Sequence, residues 1–240
     1  MPPRPRSALL AQFDVDGPGR PQQAILDELR RVVLSGAAPP GTAIPVGEVA
    51  DLFGVSRIPI REALKTLIGE GLVDHRQNGG YTVARLTAAE LREMYLVRET
   101  LETASLTAAV AHATAADHAA ARASHERLEQ AVAENDPVAY HRESRVFHTA
   151  LTTPSRMYRL LHMLESAWNI TEPVQPMVHV TADHRAVLHA DHGRMLDSFL
   201  ARDVRGLLAA TEVHNRRLDS AIETLPVDTG LLNREDIQFG

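Results

Sequence analysis

The sequence predicts a mainly α-helical chain: an N-terminal winged helix-turn-helix followed by an antiparallel six-helix bundle. Two observations carry this. Residues 21–85 read as three short helices and then a β-hairpin, whereas residues 86–225 read as six longer helices with no strand between them. The seams of the second stretch keep a three-to-four spacing, as in Leu188, His192, Met195 and Phe199, or Leu207, Thr211, His214 and Leu218.

Composition agrees with a globular chain of this size. The 240 residues are 44% hydrophobic and 23% charged, enough to bury a substantial core in one large or two modest domains. There is no long uncharged apolar run, so no membrane span is expected. The absence of cysteine excludes disulfides and thiolate metal ligands and suits a cytoplasmic location. Net charge is −6, which argues against a general coat for nucleic acid. The charge is uneven, however: residues 1–85 hold ten basic against nine acidic side chains, and residues 86–240 hold fifteen against twenty-two. Affinity for DNA would have to come from a few placed cations in the first part.

Taken in order, residues 1–20 carry Pro and Arg but no sustained apolar stretch, and read as a flexible arm. Ile25, Leu29, Val32 and Val33 mark the first helix, which Gly36 stops before a turn at residues 37–42. Val49, Ala50, Leu52 and Phe53 mark a second, closed by Gly54. Ser56 is placed as the N-cap of the third, with Pro59 in its first turn, where a missing N–H costs little. Ile60, Ala63, Leu64, Leu67 and Ile68 form its inward stripe, and Gly71 ends it. Residues 72–74 and 81–83 are β-prone, with Gln77, Asn78, Gly79 and Gly80 as a hairpin tip. Beyond residue 84, Thr87-x-x-Glu90 and Thr114-x-x-Asp117 are capping-box signals opening helices to about residues 113 and 135. Four more are expected at roughly 137–151, 155–171, 182–201 and 203–224, leaving 226–240 as a tail.

Arg57, Arg61 and Lys65 recur every fourth residue on the third helix, in line along its axis beside the apolar stripe. In a helix-turn-helix the N-terminal side chains of this helix reach base edges in the major groove. Arginine bonds guanine O6 and N7 in a bidentate way, worth roughly 1–3 kcal/mol of discrimination per good pair. Arg57 and Arg61 are therefore the candidates for base contact, with Ser56 at the cap, while Lys65 is placed for a phosphate. Gln77, Asn78, Gly79 and Gly80 at the hairpin tip are placed for an adjacent groove or backbone, with His75 and Arg76 just below. The plainer reading has these cations solvate an exposed face, Arg61 pairing with Glu62 or Glu70.

Twelve histidines is a high count for this length. His148, His192 and His214 each occupy a seam position on a different helix. One such histidine is ordinarily a neutral core imidazole bonded to a carbonyl or hydroxyl. Three facing one seam suggest a shared ligand, and neutral imidazoles without thiolates suit Zn²⁺, Ni²⁺ or a related divalent ion. His184 and His189 fail the seam test or lack partners and are expected at the surface. Arg98 shares its seam with Met94, Leu101 and Ser105, and a buried guanidinium needs an anion: Glu102 one turn on, or the carboxylate of a ligand. Tyr95 and Trp168 are candidate pocket walls.

Residues 21–85 resemble the DNA-binding domain of the GntR family of bacterial transcription regulators. The matching stretches are ILDELRRVVLSGAAPPGTAIP, VADLFGVSRIPIREALKTLIGEGLVDHR and NGGYTV. The resemblance implies a homodimer binding double-stranded DNA at a short palindromic operator, with Arg57 and Arg61 in the positions of the family's base-reading arginines. One departure is Gly47, in Val46-Gly47-Glu48-Val49-Ala50, where the family commonly has a DNA-contacting arginine. Residues 90–224 resemble the FCD ligand-binding domain of FadR-type members, in its shorter VanR-like form. The matches are Arg98 to Glu102 on the first bundle helix, Phe147-His148, Asp191-His192, Asp203 and His214.

That second resemblance implies a small carboxylate effector and, in metal-binding members, one Asp and three His ligands. The histidines carry over to His148, His192 and His214, whereas the Asp position holds Ser144, and neighbouring Glu143 projects to another side of the helix. Three arrangements stay open: a His₃ metal completed by water or effector, metal held weakly or through water at Ser144, or a metal-free polar pocket. The expectation is thus an effector-responsive regulator, most often a repressor, and not an enzyme. Its alternatives are a metal-free sensor of an acyl thioester or organic acid, and a helical metallohydrolase, for which no general base stands beside the histidines.

Overall fold

The computed structural model describes residues 8–14, 21–77 and 79–223. They divide into two compact units. The first holds the described residues up to 87 together with 169–174, and the second holds 88–168 and 175–223.

In the first unit, α1 (Gln22–Leu34) and α2 (Val46–Phe53) pack against α3 (Arg57–Gly69). Ile25, Leu29, Phe53, Ile60, Leu64 and Leu67 are fully buried at their junction. The positions predicted as the inward stripe of α3 are its buried ones apart from Ile68, which is 37% exposed. Ser56 is the N-cap residue, in extended backbone, and its hydroxyl makes no capping bond. Gly54 (φ 64°) and Gly71 (φ 74°) take left-handed conformations that side chains rarely adopt. Each lets the next residue donate its amide back to the helix just ended, Val55 to Ala50 and Leu72 to Leu67. These two stops set the sharp turn between α2 and α3 and the exit into the wing.

The wing is a three-stranded antiparallel sheet of order β1–β3–β2: β1 (Ala43–Ile44), β2 (Val73–Arg76) and β3 (Gly80–Val83). Val73 faces Val83 and Arg76 faces Gly80 across the hairpin. β1 was not predicted; two residues after a Pro-Gly turn are too few to show an alternating pattern. Residues 8–12, expected within a flexible arm, form a 3₁₀ turn that buries Leu9, while Phe13 meets Phe53 edge-on.

The second unit contains six long helices among the described residues: α4 (Ala88–His112), α5 (Ala115–Ala133), α6 (Pro137–Thr152), α7 (Tyr158–Thr171, whose last three residues fall in the first unit), α9 (Ala182–Leu200) and α10 (Val204–Glu223). A single-turn helix, α8 (Pro176–His179), precedes α9 and was not predicted, because Pro173 and Pro176 hide so short a helix. α7 begins three residues later than expected, since Thr153–Ser155 forms a 3₁₀ turn around Pro154. Three-residue links fold α5 back on α6 and α9 back on α10 as antiparallel hairpins. Thr114 and Asp117 form the reciprocal capping box at the start of α5. Arg202 donates to the carbonyl oxygens of Val110 and Ala113 at 2.8 and 2.6 Å, satisfying the end of α4 where the helix dipole favours a cation. No helix among the described residues is long and apolar enough to cross a membrane.

Candidate functional site

The first candidate surface is the groove between α3 and the wing, a hollow of about 850 Å³. Ile58, Arg61 and Lys65 line it from the helix, and His75, Gly79, Gly80 and Tyr81 from the hairpin. Ser56, Arg57, Arg61, Lys65, Gln77, Gly79 and Gly80 are all exposed, while Asn78 lies outside the described residues. Gly80 has φ 78°, which lets the strand leave the hairpin tip tightly.

The acids that were the plainer partners for Arg61 are engaged elsewhere. Glu70 receives Arg30 through two bonds of 2.6 and 2.9 Å, and Glu62 receives Lys65 at 2.8 Å. Among the described residues, neither Arg57 nor Arg61 forms an ion pair. The Arg57 guanidinium lies over Gly47, where an added methyl would sit 3.4 Å from Nη2. The absent side chain at position 47 is thus the space beside which Arg57 rests. A residue that sequence reasoning passed over is Ile58, 70% exposed between the two arginines. An apolar side chain held in water on the first turn of this helix was visible in the sequence as the residue between Arg57 and Pro59.

The second candidate site lies inside the helical unit. His148 from α6, His192 from α9 and His214 from α10 are at most 4% exposed, with one ligand atom of each within 4.8 Å of the others. His148 Nε2 and His192 Nε2 stand 3.2 Å apart. Two imidazole nitrogens bound to one ion at about 2.0–2.1 Å would be separated by roughly 2.9–3.4 Å, depending on whether the angle is octahedral or tetrahedral. The observed spacing falls in that interval, so the donor set fits a divalent ion. On its far side, His148 Nδ1 meets Glu102 Oε2 at 2.8 Å. A carboxylate in this position fixes the tautomer and turns the Nε2 lone pair toward the other two rings.

Electrostatics favour neutral imidazoles at His192 and His214. Burial, reinforced by the neighbouring imidazoles, holds His192 well below the usual histidine range. His214 is likewise lowered well below it, by burial first and then by His148, Arg98 and Arg217. Burial works against the Glu102 carboxylate, but His148 beside it and Arg98 outweigh this and keep it below the ordinary value. Asp191, buried next to His192, binds Arg194 of its own helix and Arg217 of α10, tying the two ligand-bearing helices together.

A cavity of about 20 Å³ collects the predicted residues: Tyr95, Arg98, Ser144, His148, Trp168, His192 and His214 all line it. Arg98 is 5% exposed and sandwiched between rings, its Cζ lying 3.1 Å from the centroid of Trp168 and 4.4 Å from that of Tyr95. Glu143 points away to Arg127 and Arg142, at 2.7 and 2.9 Å, as expected.

Sequence reading missed Met177 and two polar lining residues, Tyr140 and His141. Tyr140 and His141 stand one turn before Ser144 on α6, and that spacing was the available signal. The Tyr140 hydroxyl is buried without a hydrogen-bond partner among the described residues, and desolvation pushes its ionisation up. His189, expected at the surface, is half buried and stacks on His125 with centroids 4.6 Å apart. Its partner comes from another helix, which sequence spacing does not show.

Comparison with known proteins follows the same division. The family model for the FCD domain matches residues 93–217, and the model described as "Bacterial regulatory proteins, gntR family" matches residues 21–83. YdhC, an HTH-type transcriptional regulator of Bacillus subtilis, is 27% identical over 187 residues, covering 77% of this chain and 83% of its own. McbR, an HTH-type transcriptional regulator of Escherichia coli, is 28% identical over 142 residues, 59% of this chain and 64% of its own. The solved structure of E. coli McbR/YncC superposes with a TM-score of 0.74 at 22% identity, covering 84% of this chain and 96% of that one. A GntR-type regulator from Rhodococcus sp. RHA1 gives 0.73 at 21%, covering 84% and 97%.

Proposed function

We propose that this chain, which belongs to the GntR family of bacterial transcription regulators and carries a C-terminal FCD domain, is a dimeric sensor of a small carboxylate that controls its grip on a palindromic operator. Arg57 and Arg61 read bases from α3, Lys65 holds a phosphate, and the hairpin tip from Gln77 to Gly80 contacts the adjacent groove. In the helical domain His148, His192 and His214 would hold a divalent ion, Zn²⁺, Ni²⁺ or similar, which supplies a Lewis-acidic seat for an oxygen anion. Arg98, Tyr95 and Trp168 bind and orient the rest of that anion. Effector binding repacks these helices and alters operator affinity, a coupling typically about 1–3 kcal/mol.

The observation that carries this reading is the convergence of three buried imidazoles and a buried arginine on one cavity. Ser144 sharpens it. A divalent ion held by neutral imidazoles would place its positive charge in a low-dielectric interior beside Arg98, with Glu102 behind His148. Such a site draws in an anion, where an aspartate at position 144 would already have supplied part of the charge. Ser144 also supports a second reading, a metal-free pocket in which Arg98 alone receives an organic acid or acyl thioester. The family's members are transcriptional regulators, which sets aside the metallohydrolase.

Elemental analysis and native mass spectrometry of protein purified without a histidine tag test the proposal together. One divalent ion per chain in a dimer is expected. A metal-free dimer that still binds organic acids would transfer the assignment to the second reading. Operator affinity unmoved by every acid that binds the helical domain would overturn both.

A further inference from the structure

We infer that the effector site does not end at the histidines but continues past Trp168 into the groove between α6 and α7, which seats the polar tail of an organic acid whose carboxylate lies at Arg98. This rests on the carboxylate reading above and adds where the rest of the molecule goes. The inner cavity of about 20 Å³ is little more than the roughly 10–15 Å³ of space that one water needs. It accommodates an ion with its oxygen ligand and nothing larger, so any acid with more than a carbon or two must project outward.

Trp168 lines both the inner cavity and a groove of about 420 Å³ on its other side. That volume lies within the usual span of small-molecule pockets. Arg145, Thr149 and Thr153 on the α6 side line it with His162 and Glu165 of α7, and Leu161 and Leu164 supply its apolar part. Hydroxyl, imidazole and carboxylate groups lose hydrogen bonds to water when covered by a hydrocarbon chain, but keep them against hydroxyls or amides. The ligand class is therefore a carboxylate with a hydroxylated or amide tail of several atoms.

A second groove, of about 620 Å³ between α9 and α10, touches the inner cavity at Leu188 and is lined by Val187, Val213 and Ala221. It would suit an aliphatic tail. The α6–α7 groove is favoured because the wall that closes it is the indole stacked on Arg98. A carboxylate pulling on that guanidinium works directly on the partition, and Leu188 has no such link to the anion-binding residue.

Trp168 is the only tryptophan in the chain, so its fluorescence reports on the partition itself. The full-length protein as purified is titrated with acetate, butyrate and threonate, the last two matched in chain length and differing in hydroxyl groups. Threonate is expected to bind at least tenfold more tightly than acetate, and butyrate no better than acetate. Thr149→Val, an isosteric change at an exposed position, should weaken threonate about fivefold and leave acetate unchanged. Equal affinity for acetate and threonate, or indifference of threonate to Thr149→Val, overturns the subsite. So does butyrate binding more tightly than threonate and weakening in Val213→Ser, which places the tail in the α9–α10 groove. If none of the three acids binds, or acetate binding survives Arg98→Ala, the carboxylate reading fails first and the subsite falls with it.

Discussion

The winged unit and the helical unit use arginine in opposite ways. On α3, Arg57 and Arg61 stand in solvent without an acidic partner among the described residues, while the nearby acids are bound to Arg30 and Lys65. In the helical unit three guanidiniums are consumed inside the protein. Arg98 lies between two aromatic rings, Arg202 closes the end of α4, and Arg185 donates to Asn135 at 2.8 Å and to the carbonyl of Val180. Exposure without such a partner leaves Arg57 and Arg61 free to meet a counter-charge from outside, and their place on the first turns of α3 is what singles them out; a cation satisfied internally shapes a pocket or a helix end. The net charges of the two halves of the sequence, +1 and −7, record this division only faintly, because two placed arginines do what a generally basic surface would otherwise do.

The contrast breaks most completely at the histidines. His192→Ala removes one of three donors from a buried set whose geometry fits a single ion. Metal content should fall from about one ion per chain to none after dialysis against a chelator, because a two-imidazole site loses most of its affinity. Metal retained at full stoichiometry would show that the ion, if present, is held elsewhere. Operator binding in the absence of effector should survive, since nothing on α3 has changed.

Arg61→Ala is the converse and comes next in size. Loss of a bidentate base contact corresponds to roughly 1–3 kcal/mol, or about five- to 150-fold in affinity for the operator over scrambled DNA. The variant should melt at the wild-type temperature, because Arg61 supports no other residue of the protein. Undiminished specificity in an anisotropy titration would remove α3 as the reading element. Arg30→Ala sharpens the same point from within one unit. Its two bonds to Glu70 are partly buried, so it should cost stability, on the order of 1.5 kcal/mol, and leave operator specificity alone. If Arg30→Ala impaired DNA recognition as much as Arg61→Ala, exposure and pairing would not be what separates the two roles.

What the sequence revealed follows from which forces are local. Helix spans, the Gly54 and Gly71 stops and the Thr114 cap depend on residues within one or two turns, and these were read nearly to the residue. The seam spacing also selected His148, His192 and His214, because each must face inward for its helix to bury its stripe. Whatever depends on a partner helix was not legible. Glu102 is one turn from Arg98, yet its bond goes to His148, forty-six residues away. Tyr140 and His141 stand one turn before Ser144, a local signal that was there to read, but that the cavity extends to them depends on the helices packed around α6. Lys65 was read as placed for a phosphate, and its bond to the exposed Glu62, three residues back, is one that DNA would have to displace.

The smallest effect isolates a feature that serves neither DNA nor ligand. At the start of α5, Asp117 accepts from the Thr114 amide and hydroxyl at 2.8 and 2.7 Å, and these bonds hold its carboxyl below the usual aspartate range. A group lowered on folding contributes stability above its unfolded value, near 3.9, and loses it as pH falls through the folded one. Asp117→Asn should therefore lower the melting temperature slightly at neutral pH, by the equivalent of about 0.5–1 kcal/mol. The gap should begin to narrow below about pH 4 and close once pH has fallen past the lowered folded value, where the wild-type carboxyl is itself protonated. Operator affinity and metal content should not change at any pH. A gap that persisted undiminished at pH 3 would mean that the shape of the side chain, and not its charge, holds the cap; a change in metal content would mean that the start of α5 is coupled to the histidines, and that the helical unit is less divided into independent parts than its packing indicates.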